Sequence, residues 1–139
     1  MRCQLRWCQL PTCLIPTCQL GWRFTALGNA EIVPLSRPFG LYAGNVFQGV
    51  VMLNGQPVPE AKVEVEFYNQ DGKVKAPNDY MVTQSIKADK NGVFTYAAPR
   101  AGWWGFSAVS TDDKKIPYQG NPKSVEIAAV IWVKFLEMK

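Results

Sequence analysis

The chain has no histidine, and no cysteine beyond position 18. The first absence removes Ser-His-Asp and Cys-His nucleophilic sites. It also removes the commonest ligand for zinc, nickel and copper. No stretch approaches the eighteen or so uninterrupted apolar residues of a membrane-spanning helix. Acidic residues are missing from the first thirty positions, where Arg2, Arg6 and Arg23 lie. From Glu31 onward, twelve basic side chains stand against eleven acidic ones, so the net charge of +4 belongs mostly to the N-terminal segment. Nowhere do Lys or Arg cluster with interleaved aromatics, which argues against nucleic acid as a partner.

The 139 residues suit one domain, large enough to fold without metal or disulfide. Residues 1–30 are a different kind of sequence. Cys3, Cys8, Cys13 and Cys18 start successive five-residue units, CQLRW, CQLPT, CLIPT and CQLGW. The spacing differs from the C-x2-C pairs of zinc sites. A secretory signal is a second reading, with Arg2 and Arg6 as its basic start and Gly28-Asn29-Ala30 as its cleavage site. Pro11, Pro16 and the glutamines interrupt its apolar core. A third reading is repetitive DNA translated from a misplaced start, or a truncated gene. The segment has neither helical nor strand periodicity and is expected to be poorly ordered.

Residues 31–139 read as an all-β domain. Asn45 to Leu53 is rich in β-formers and runs into Asn54-Gly55, a strong hairpin signal. In Ala61 to Tyr68, Ala61, Val63, Val65 and Phe67 alternate with Lys62, Glu64 and Glu66. A one-residue slip would bury those three charges, so the strand sets its own register. Further strands are expected at Glu31 to Ser36, Tyr80 to Ala88, Val93 to Ala97 and Trp103 to Ser110. A polar loop then runs from Thr111 to Lys123. The last strand, Val125 to Phe135, has Val125, Ile127, Ala129, Ile131, Val133 and Phe135 on one face. Six or seven strands with regular turn signals predict an antiparallel β-sandwich with little or no helix.

The run from Gly49 to Val63, then Asp89-Lys-Asn-Gly-Val-Phe and Ala101-Gly-Trp-Trp-Gly-Phe, resembles the Ig-like, prealbumin-like or Cna-B-type sandwich of exported bacterial proteins. Phe39-Gly-Leu-Tyr-Ala-Gly, Ala76-Pro-Asn-Asp-Tyr-Met, Arg100-Ala-Gly-Trp-Trp-Gly-Phe and Ala128-Ala-Val-Ile-Trp-Val are similar to the C-terminal part of the DUF4198 family. The resemblance is read over residues 31–139. It implies a periplasmic or exported protein associated with nickel and cobalt uptake transporters. It also implies that metal-binding histidines belong to an N-terminal half with no counterpart here. No cofactor or metal ligand is therefore assigned to this chain. The expected partner is a transporter subunit or that other domain.

The candidate binding surface comprises Trp103, Trp104, Asn78, Asp79 and Tyr80. Adjacent strand residues face opposite ways, so at most one of the two indoles enters the core. The other packs under a loop or serves as a platform for a partner or ligand. Asn78 and Asp79 follow Pro77 and either cap a turn or offer oxygens. Asp89-Lys-Asn-Gly is a turn lacking the later ligands of a calcium loop. Glu64 and Glu66 share a strand face at roughly 7 Å, a spacing that overlaps that of inverting glycosidases. Lys62 beside them and the solvent-facing strand argue against catalysis, and no enzyme is expected. The leading function is a non-catalytic accessory domain acting through protein contacts. The alternative is a stand-alone carbohydrate- or peptide-recognition module.

Overall fold

The computed structural model describes residues 29–138, and the readings made on the earlier positions lie outside them. Among the described residues, nine strands form two sheets that share one core. They are β1 (Ala30–Pro34), β2 (Leu41–Tyr42), β3 (Val46–Leu53), β4 (Gln56–Pro57), β5 (Lys62–Phe67), β6 (Thr83–Lys87), β7 (Val93–Ala97), β8 (Gly102–Tyr118) and β9 (Asn121–Leu136). In the first sheet β3 is central. It pairs with β1 along one edge and with β7 and then β4 along the other. The second sheet has the order β2-β9-β8-β5-β6 and curls into a half-barrel.

Alternation decides which side chains meet. Phe47, Val51, Phe94 and Tyr96 point inward from the first sheet. Val63, Val65, Trp104, Phe106, Ala108, Ala129, Val133 and Phe135 point inward from the second. The Phe106 ring lies 4.9 Å from Phe47, 5.7 Å from Phe94 and 5.7 Å from Tyr96, centroid to centroid. Gly49 makes that cluster possible. A methyl group there would lie 2.8 Å from the Phe94 ring and 3.1 Å from Ile32.

The strands of the alternating segments fall where their patterns place them, and the Asn54-Gly55 hairpin closes β3 onto β4 with both residues at positive φ, 51° and 77°. Four expectations need correction. Nine strands replace six or seven, because β2 and β4 are two-residue pieces without periodicity. The sheets are not wholly antiparallel, since β2 pairs with β9 in parallel. The strand expected from Tyr80 begins only at Thr83, and Asp79–Met81 forms one 3₁₀ turn.

The fourth correction is the largest. The Thr111–Lys123 loop is a two-stranded ribbon continuing β8 and β9. Its strands pair from Lys115↔Ser124 to Tyr118↔Asn121 after a register irregularity between Thr111 and Lys115. Its reversal uses Gln119 at φ 48° and Gly120 at φ 80°. The ribbon side chains are mostly exposed, so its composition carries none of the apolar alternation that a packed strand needs.

The turn before β7 is held by one carboxylate. Asp89 Oδ1 accepts the backbone N–H of Asn91 at 2.7 Å and of Val93 at 2.9 Å. These bonds, that from Val93 first, hold the Asp89 carboxyl below its ordinary range. A depressed folded value means that the contribution is complete above the unfolded aspartate value of about 3.9. It is lost as pH falls through the folded value. Asp89→Asn should therefore lower the melting temperature at neutral pH, with the difference closing as pH drops below about 4, measured by circular dichroism. Gly49→Ala should destabilise by about 1–3 kcal/mol in urea melts through overpacking against Phe94.

Candidate functional site

The solvent face of the five-stranded sheet follows from the same alternation. On β8 it presents Trp103, Gly105, Ser107 and Val109; on β9, Lys134, Trp132, Val130 and Ala128, each opposite its partner. On β5 it presents Lys62, Glu64 and Glu66, with Tyr68 just beyond. Trp103 is 45% exposed and Trp132 48%. Tyr68, Val109 and Val130 are also exposed.

Gly105 shapes this face. The benzo ring of Trp132 lies over it, so a methyl group at Gly105 would meet ring atoms at 2.9–3.1 Å. With no side chain on the middle strand, Tyr68 reaches across from β5 and meets Trp132 edge-on, centroids 5.9 Å apart. Lys134 Nζ stands 5.8 Å from the Trp103 ring centroid. A polar border runs along β5. Lys62 Nζ pairs with Glu64 at 2.7 Å, and Thr83 Oγ1 donates to Glu66 Oε1 at 2.6 Å. The two glutamates are thus engaged in the surface network of their own sheet.

Trp104 goes the other way. It is 2% exposed, edge-on to Phe67 at 5.2 Å, and its Nε1–H donates to the Arg100 carbonyl at 3.0 Å. Gly102, at φ 130°, allows the Phe67 ring to approach where any Cβ would lie 2.4 Å from it. Beside these rings is a cavity of about 230 Å³. It lies between the segment after β5, the 3₁₀ turn, β6 and the Pro99-Arg100 turn. Trp104 is its most buried lining residue, and Gln84 and Arg100 supply polar walls. Burial raises the nearby Tyr96 hydroxyl above the usual tyrosine range. The Gln84 amide offsets part of that rise, although its buried nitrogen completes no hydrogen bond among the described residues.

The candidate residues therefore separate. Trp103 belongs to the outer face and Trp104 to the core and the cavity. Asn78, Asp79 and Tyr80 lie on the loop over the cavity, between the lining residues Pro77 and Met81, without lining it themselves. Tyr80 is 87% exposed. Sequence reasoning missed Trp132 and Tyr68. The signal was available: Trp132 falls between inward-facing Ile131 and Val133, and Tyr68 follows inward-facing Phe67. Among the described residues, no three His, Cys, Asp or Glu side chains come together as a metal site. No described helix is long and apolar enough to cross a membrane.

Fold and site define an all-β domain with an aromatic surface on one sheet and a small cavity at its edge. The chain belongs to the DUF4198 family, a domain of unknown function whose family model matches residues 15–112. The match starts upstream of the Glu31 boundary read from the sequence and ends before β9. No curated protein and no solved structure shows significant similarity to the chain. Gly105→Ala should lift Trp132 off the sheet while costing less than about 1 kcal/mol, since the displaced group is an exposed side-chain end. Fluorescence quenching by iodide should rise, and the urea midpoint should hardly move.

Proposed function

We propose that this chain is a non-catalytic accessory domain of an exported protein linked to nickel or cobalt uptake. In this reading it is an Ig-like or prealbumin-like β-sandwich that works through protein contacts on the outer face of its five-stranded sheet. The observation that carries the proposal is the grouping of Trp103, Trp132, Tyr68, Val109 and Val130 on that face. Grouped exposed aromatics are characteristic of the desolvated centre of a protein interface, with charges at the rim. Lys62, Glu64, Glu66 and Lys134 supply such a rim. The metal-uptake setting and the periplasmic or exported location rest on the family resemblance. So does the partner, a transporter subunit or a separate metal-binding domain.

Recognition of a carbohydrate is the second reading. It is favoured by the posture of Trp132, laid along Gly105 with nearly half its surface open, next to hydroxyl and carboxylate groups. Such a ring offers a stacking surface for a sugar.

The test uses cells that depend on the native protein for nickel supply, carrying Trp103→Ser with Trp132→Ser. Nickel accumulation should fall severalfold while the protein stays folded and exported. Unchanged accumulation would overturn the accessory reading. Unchanged accumulation combined with lost binding on a glycan array would favour the carbohydrate reading.

A further inference from the structure

We propose that the cavity beside Trp104 binds a small organic carboxylate with an apolar, ring-sized body. Its volume of about 230 Å³ is below the roughly 300–1,000 Å³ of sites for drug-sized ligands. That sizes the occupant at about one ring with a short polar arm. Phe67, Val74, Met81 and Trp104 give the body an apolar bed.

Two lining residues offer donors, and the charge of one of them selects an anion. Arg100 is half-buried, with its guanidinium 5.8 Å from the Phe67 ring centroid, and it forms no ion pair among the described residues. A guanidinium in this position matches a carboxylate through two parallel hydrogen bonds. Gln84 is the second donor. It faces inward on β6 beside Ile86, opposite Val65, at a place where the alternation calls for an apolar side chain. Its amide nitrogen is buried without a hydrogen-bond partner. That nitrogen lies near the Tyr96 hydroxyl without completing a hydrogen bond to it, and buried polar groups are nearly always satisfied, so this cavity-lining residue has a donor to give to another acceptor. A turn of the amide toward the cavity would bring that donor to the same carboxylate. The body of the ligand would then lie along Phe67 and Trp104. This site is separate from the outer aromatic face, so it stands or falls independently of the accessory reading.

The experiment is a titration of the full chain with benzoate, followed by the side-chain amide signals of Gln84 and the indole N–H signal of Trp104 in NMR spectra. Benzyl alcohol provides the uncharged control. Benzoate should saturate both signals and bind at least about tenfold more tightly than benzyl alcohol. Arg100→Gln should weaken benzoate by a similar factor, and Arg100→Lys by less. The backbone carbonyl that holds Trp104 remains in both variants. Should Arg100→Gln fail to fold, the Arg100→Lys variant and the two probes on the native chain decide. Equal binding of the two probes, or no saturation by about 20 mM benzoate, would overturn the proposal.

Discussion

The contact of Phe106 with Phe47, Phe94 and Tyr96 joins the two sheets and sets the facing of β8. It is the place where the two sheets meet ring to ring. Phe106 sits on β8, which is paired on both sides within the curled sheet. Fixing that ring inward fixes Trp104 and Ala108 inward as well. By the same parity it sends Trp103, Gly105 and Val109 outward. The outer aromatic face is thus a by-product of core packing.

The dependence runs through glycines at two depths. Gly49 yields space to Phe94 inside the core, where neighbouring rings leave nothing free to move. Gly105 yields space to Trp132 outside, where the ring is free to swing away. The same kind of close approach therefore packs the core in one case and shapes the solvent face in the other. Packing density separates them.

The elements legible in the sequence are those whose two faces see different environments. Val63 and Val65 against Lys62 and Glu64 announce a half-buried strand, as do Val133 and Phe135 against Lys134. The ribbon around Ile116 and Tyr118 has solvent on both faces, and its strandness comes only from backbone pairing. No side-chain pattern encodes that. Of the site, the splitting of Trp103 from Trp104 was legible because parity dictates it. The meeting of Tyr68 with Trp132 over Gly105 was not, since it depends on β5 pairing with β8, a strand distant from it in sequence, on the edge opposite β9. The meeting of Arg100 and Gln84 at one cavity depends on the path of the segment between β5 and β6, which periodicity does not describe.

The tandem Trp103-Trp104 also bears on how β8 finds its place. A slip by one residue would exchange one indole for another in the core, so the pair by itself barely distinguishes right from wrong pairing. Discrimination falls to the next two residues. The slipped strand would bring Gly105 to the centre of the ring cluster and put Phe106 in water, leaving a void where three aromatic rings now converge. A folding chain thus meets a near-degenerate choice at the tryptophans and resolves it at the glycine–phenylalanine step. Changes that make those two residues more alike would populate a misregistered trap before they visibly loosened the native state.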